Sequence, residues 1–326
     1  MTWLTWRQFR IPAASVYAAV VAISAFLVIT GDGLVNRNDF SDMDVMYGGT
    51  SLLLYVLPGV IGVFWGVPLV ARELETGTHN LVWNQSITRD RWLTAKLGVG
   101  LVAALVVTGL LATVVTWWAS PIDAAAAEQT EYFALTRMSP VFFSARGIVP
   151  IAYAAFAFVL GVAVGILLRR TVAAMAVTLV AFIAVMVAVP VLVRPYVMPP
   201  VEETMTIDSS KILGVQGNDN GVIDAIFLEK PAGAWMLTSE TIDPDGNAVS
   251  PLPSFLDECL PRPGRDAGGP GRINECMGQL ADRGYTQRVT YHPADRFWPL
   301  QLIETGLFLA LSALLAWFCF RRIRHL

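Results

Sequence analysis

The sequence predicts an all-α polytopic membrane protein: six transmembrane helices, an N-terminal interfacial helix, and a small α+β extracellular domain between helices five and six. Three observations carry that prediction. Hydrophobic residues make up 55% of the 326 positions and charged residues only 15%, against about a quarter charged in soluble domains; the mean hydropathy is +0.54. Six separate apolar runs each approach the roughly 20 residues that a helix needs to cross a bilayer. Arginines gather in alternate connections between those runs.

The runs are 12–30, 50–70, 97–118, 148–168, 171–193 and 297–320. Arg7, Arg10, Arg72, Arg89, Arg91, Lys96, Arg169, Arg170, Arg321, Arg322 and Arg324 then fall on one side. Only Arg37, Arg137 and Arg146 fall on the other. The positive-inside rule therefore predicts a multi-pass plasma-membrane protein with both termini in the cytoplasm. The connection 194–296 is too long for its charges to bear on orientation. A net charge of −3 and the lack of a basic cluster argue against nucleic acid as a partner.

Residues 1–11 precede the first span. Trp3, Leu4, Trp6 and Phe9 alternate with Arg7 and Arg10, a mixture that suits a helix lying at the inner interface. The alternatives are a frayed start to the first span and a cleaved signal peptide.

Between spans two and three lies the polar connection 71–96, which holds Arg72, Glu73, Glu75, Gly77, Thr78, Arg89 and Arg91. It is long enough for a helix that a partner can push. Glu73 and Glu75 are expected near the start of such a helix, where they suit its positive end. The alternative is a solvated loop without a partner.

Span two is aromatic and proline-bent, with Tyr55, Pro58, Phe64, Trp65 and Pro68. Span five is almost wholly aliphatic, with Thr178 and Phe182 as the exceptions of note. If Tyr55, Phe64, Trp65, Thr178 and Phe182 line a path, a hydrophobic or amphipathic cargo suits it; the alternative for each is lipid or core packing. Gly62-x-x-x-Gly66 and Gly161-x-x-x-Gly165 allow close helix approach. They fit packing inside one bundle and a dimer seam equally well.

The outer segments differ in size. Residues 31–49 are short and acidic, and 120–147 carry an alanine-rich stretch expected as a surface helix. Residues 194–296 are long enough for a small domain. In it, 204–207, 225–228 and 234–240 read as strands, 243–247 as a turn, 273–283 as a helix stopped by Gly284, and 286–291 as a returning strand. Cys259 and Cys276 flank a Pro/Gly-rich stretch, and a disulfide between them would stabilise that loop by about 3 kcal/mol. Two free thiols are the alternative. Cys319 reads as a packing residue.

Glu304 is an acid inside an apolar run, and intramembrane carboxylates are costly enough to be gating candidates. The other reading is structural: hydration, or a pair with Arg296 or Arg146. No phosphate-binding loop, H-E-x-x-H or C-x-x-C occurs in the sequence. His79, His292 and His325 are scattered, so no metal or cofactor site is expected in this chain.

The motifs Arg72-Glu73-x-Glu75-x-Gly77-Thr78, Gln85-Ser86-x-x-Arg89-x-Arg91-Trp92-x-x-x-Lys96, Arg146-Gly147-Ile148-Val149-Pro150 and Phe297-Trp298-Pro299-x-Gln301-x-Ile303-Glu304 resemble those of the permease subunits of ABC-2 type exporters, in the form common in actinobacteria. The resemblance covers all six spans. It implies a connecting helix over residues 1–11, spans one to five over 12–193 with a coupling loop at 71–96, an outer insertion at 194–296 as in the ABCG-like architecture, and a last span and tail over 297–326. It also implies that the coupling loop docks on a separate ABC ATPase, which holds ATP and Mg. Two ATPases and two permeases, here a homodimer, would form the working unit and export a drug, peptide or lipid.

Two other functions remain open on the sequence. One is a membrane-anchored enzyme or binding module in 194–296, built from Asp224, Glu229, Asp257, Glu258, His292 and Asp295. The other is an immunity or sensing complex of the same architecture.

Overall fold

The structure, a computed structural model, describes residues 2–34, 43–83, 88–128, 136–217, 223–258 and 278–325. Six helices among them are long and apolar enough to cross a membrane. They are α1 (Thr2–Gly31), α2 (Asp44–Glu75), α4 (Arg89–Glu128), α6 (Val149–Leu168), α7 (Thr171–Val197) and α8 (Phe297–Arg324). Two short helices, α3 (His79–Trp83) and α5 (Pro140–Phe143), lie in the connections. All six predicted runs are present, and most helices extend beyond their apolar cores.

The chain divides into two compact units. The first comprises Met1–Asp123, Pro140–Val197 and Trp298–Leu326, and is helical. Within it α6 is apolar and buried on nearly every face, as expected for a helix enclosed by others rather than by lipid. Residues 2–11, expected as a separate interfacial helix, run into α1 without a break. Pro12 removes one backbone N–H but does not interrupt the helix.

Glycine sets the closest packing. A Cβ on Gly161 would lie 2.2 Å from the Gly62 carbonyl oxygen, and one on Gly66 would lie 2.4 Å from that of Phe158. The two small-residue motifs therefore face each other across α2 and α6 of one chain, so an intramolecular contact accounts for both. At this contact α2 widens into a π turn, Gly62–Gly66, between the α-helical stretches Asp44–Ile61 and Val67–Glu75.

A second π turn, Val189–Val193, occurs in α7 around Pro190. The proline cannot donate to the helical ladder, and the turn widens. Arg194 follows it. The sequence places Arg194 at the start of the outer connection; instead the helix continues to Val197 and the Arg194 side chain is buried.

The second unit comprises Ala124–Ser139 and Met198–Phe297. Strands β1 (Val201–Thr206), β4 (Trp235–Ile242) and β5 (Thr286–His292) form an antiparallel sheet in the order β1-β5-β4, while β2 (Ile212–Gly217) pairs with β3 (Ile223–Leu228). Ile207, Ile226, Leu252, Leu256 and Leu280 share one apolar core. The predicted turn is present, with Asp243 accepting from the backbone N–H of Asn247 at 2.8 Å and Gly246 at φ 90°. Gly284, at φ 81°, follows the helical residues 278–282. Burial pushes the Tyr291 phenol up, and Glu203, 2.9 Å away, adds to the rise. The Ala124–Ala127 stretch is the end of α4 rather than a separate surface helix. Cys259 and Cys276 lie outside the described residues.

Candidate functional site

At one end of the helical unit the chain passes from α2 through α3 to α4. Gly77 stands at φ 72° and lets the chain turn after Thr76. Glu73 and Glu75 consequently lie in the last turn of α2, not at the start of a coupling helix as the sequence suggests. Their own helix presents them with its negative end, so their partners lie elsewhere.

Those partners are specific. The Glu73 carboxylate accepts from Lys96 Nζ at 2.8 Å and from Trp92 Nε1 at 3.2 Å, and Lys96 also donates to the Leu69 carbonyl at 2.8 Å. Lys96 is almost fully buried, so a charge without Glu73 beside it would be costly there. Glu75 reaches the opposite way. It accepts from the backbone N–H of Thr171 at 2.9 Å and from its hydroxyl at 2.6 Å, supplying an acceptor to the first turn of α7 where orphan donors and the positive dipole end require one.

Aromatic rings hold α3 in place. His79 meets Trp83 edge-on at 4.6 Å, Trp83 meets Trp92 edge-on at 5.9 Å, and the Arg89 guanidinium lies 4.7 Å from the Trp83 ring. His79 Nδ1 donates to the Glu73 carbonyl at 3.1 Å. Arg89 donates to the Arg324 carbonyl at 3.0 Å, and Arg324 pairs with Asp90 at 3.0 Å. Arg72, Thr78 and Arg91 are exposed.

The five residues proposed for a cargo path lie in different surroundings. Phe64, 58% exposed, and buried Trp65 border a cleft of about 580 Å³ whose rim carries Arg72, Thr76 and Thr78. Trp65 stacks on Tyr17 at 6.3 Å. Thr178 and Phe182 are buried in the helical unit, with the Phe182 ring against Gly59 of α2. Tyr55 donates to the Val141 carbonyl at 2.8 Å.

A second polar cluster surrounds residues 140–149. Glu304 does not pair with Arg296 or Arg146, the partners expected from sequence. It pairs with Arg194, through Nε to Oε2 at 2.8 Å and Nη2 to Oε1 at 2.9 Å. Arg194 also donates to Ser144 Oγ and to the Pro140 carbonyl, and its guanidinium lies 4.4 Å from the Phe143 ring. Tyr153 donates to Glu304. Both charged side chains are nearly inaccessible, and the geometry is the bidentate fork that makes buried Arg–carboxylate pairs tolerable.

Arg146 is taken up by Asp123, with Nε to Oδ2 at 3.1 Å, and Nη1 donates to Ser51 Oγ at 3.2 Å. Tyr47 donates to the other Asp123 oxygen, and its ring lies 4.6 Å from the Arg146 guanidinium. Gln301 completes the framework. Its Oε1 accepts from the N–H groups of Ile148 and Val149, both at 3.1 Å, and its Nε2 donates to the Phe143 carbonyl at 2.9 Å.

Residues 140–149 are thus tied to α2, α4, α7 and α8 at once. Sequence reading missed Tyr47, Ser51, Asp123, Ser144, Tyr153 and Arg194 as members, and had Gln301 only within a motif. The available signal was weak: a second buried acid near a helix end, and one arginine directly after a proline-containing span.

Among the described residues no three His, Cys, Asp or Glu side chains form a metal-binding group. In the second unit His292 is fully buried, with its ring 5.3 Å from Trp235 and Nδ1 3.4 Å from Arg296.

A family model described as ABC-2 membrane transporter related matches residues 30–194. No curated protein and no solved structure matches the chain.

Proposed function

The chain belongs to the ABC-2 membrane transporter related family, and from that premise we propose that it is the permease subunit of an ATP-driven exporter. With six apolar helices among the described residues, it is a multi-pass membrane protein. In this reading it resides in the plasma membrane with both termini in the cytoplasm, and residues 194–296 lie outside. Two copies pair with two ABC ATPase subunits, which bind ATP and Mg. The cargo is a hydrophobic or amphipathic drug, peptide or lipid, moved outward.

The observation that carries the reading is the junction of α2, α3 and α4. Arg91, Gly77, Thr78 and α3 remain for a partner to grip, while Glu73, Lys96 and Trp92 bind α2 to α4 behind them. A push on α3 is therefore delivered to two long helices together. The same helices carry Tyr47, Ser51 and Asp123, which hold Arg146. Residues 140–149 then act as the gate, and the Arg146–Asp123 and Arg194–Glu304 pairs as its latches.

Purification of the tagged chain from its own cells tests the proposal. An ATPase subunit should accompany it in roughly equal amount. A folded chain repeatedly recovered without one would refute the assignment.

A further inference from the structure

The cleft beside Phe64 and Arg72 joins two chemistries. Its floor is apolar, with Phe64, Trp65 and Pro68, and its rim carries Arg72, Glu73, Thr76 and Thr78. Its volume, about 580 Å³, is within the range of small-molecule sites, roughly 300–1,000 Å³. We propose that this cleft binds an anionic phospholipid, with the phosphate at Arg72 and an acyl chain along Phe64, Trp65 and Pro68.

Charge gives the sign. The Arg72 guanidinium has no carboxylate partner among the described residues. The adjacent acid does not cancel it, because the Glu73 carboxylate is occupied by Lys96 and Trp92. The rim therefore carries a net positive charge. The Thr76 hydroxyl donates to the Arg72 carbonyl at 2.9 Å and lies 3.0 Å from the Thr78 hydroxyl, so both are engaged with the chain and the guanidinium is the group left to meet a phosphate.

The floor gives the rest of the ligand. A water-soluble phosphate would leave Phe64 exposed, whereas an acyl chain covers it. Phe64 is 58% exposed on a helix long enough to span a bilayer, so membrane lipid is the amphiphile present there at the highest local concentration. Use of the cleft to load an anionic amphiphile for transport rests on the permease reading above; the binding itself does not.

Native mass spectrometry of the full chain in neutral detergent, with equal amounts of phosphatidylglycerol and phosphatidylcholine, tests the proposal. Phosphatidylglycerol should be retained at least about fivefold over phosphatidylcholine, the preference that one well-placed surface cation supplies. Arg72→Gln should abolish the preference, whereas Arg72→Lys and Arg322→Gln should keep it. If Arg72→Gln is not recovered folded, Phe64→Ser should reduce the phosphatidylglycerol adduct instead. Equal retention of the two lipids would overturn the proposal, as would the same loss in Arg322→Gln. Displacement of the lipid by equimolar dodecyl phosphate would assign the cleft to a single-chain solute and overturn it too. ATPase recovery is measured on a separate preparation, so failure of either result leaves the other readable.

Discussion

Arg194 and Glu304, 110 positions apart in the chain, meet inside the helical unit as a two-bond ion pair, at 2.8 Å and 2.9 Å. The contact joins α7 to α8, and Arg194 continues to Ser144 and the Pro140 carbonyl. One arginine thus holds the last helix and the connection before α6 in a single arrangement. In the proposed permease, that arrangement is the packed contact whose exchange for another would constitute gating.

Glu304→Gln leaves the Arg194 charge buried without its counter-ion, which costs on the order of 3–5 kcal/mol. Reversible unfolding in mixed detergent should show a loss of that size. Adding Arg194→Met should recover much of it, because the orphan charge is then gone. Additive losses in the double variant would remove the pair from the account.

Asp123→Asn should destabilise through Arg146 by the same physics. Arg146 already has one buried nitrogen, Nη2, without a partner among the described residues, so it has little reserve. Tyr47→Phe removes one hydrogen bond to the same carboxylate and should cost only about 1 kcal/mol. A larger effect for Tyr47→Phe than for Asp123→Asn, measured in the same assay, would reverse the proposed roles.

The spans were legible in the sequence because the bilayer imposes length and apolarity on each helix separately. Gly246 and Gly284 were legible as turn residues for a comparably local reason. Pairings were not. Lys96 and Glu73 are both visible as charges, but nothing along the chain gives the register that brings α2 and α4 together. Arg194 read as a loop residue because the π turn at Val189–Val193, which precedes it, leaves no hydropathy signal. The facing of the two glycine motifs was readable only as a possibility of close packing.

Gly161→Ala should be among the most damaging small substitutions. The new Cβ would stand 2.2 Å from the Gly62 carbonyl oxygen and 3.0 Å from the Val67 nitrogen, both backbone atoms. Overpacking typically costs 1–3 kcal/mol, and backbone neighbours place this position at the upper end. Gly306→Ala, in the interior of α8, meets nothing within 4 Å and should be no less stable than the wild type, with a gain of up to about 1 kcal/mol. Equal stability of the two variants would contradict the α2–α6 contact.

Glu73 and Glu75 should separate on mutation. Glu73→Gln strips the counter-ion from buried Lys96 and should weaken both folding and ATPase recovery. Exposed Glu75, replaced by Gln, retains an acceptor for Thr171 and should cost less than Glu73→Gln, as an exposed helix-end interaction does. Thermal melts with co-purification yields compare them, and a greater effect of Glu75→Gln would overturn this ranking.

The central claim, that a separate ATPase grips the chain at the turn from α2 into α3, is tested most directly by site-specific photocrosslinking. A benzoylphenylalanine replaces Thr78, exposed beside that turn, or Val45, exposed near the opposite end of α2. The account predicts a crosslinked ATPase from position 78 and none from position 45. A folded chain that yields no ATPase adduct at position 78, or the same adduct from both positions, would contradict it.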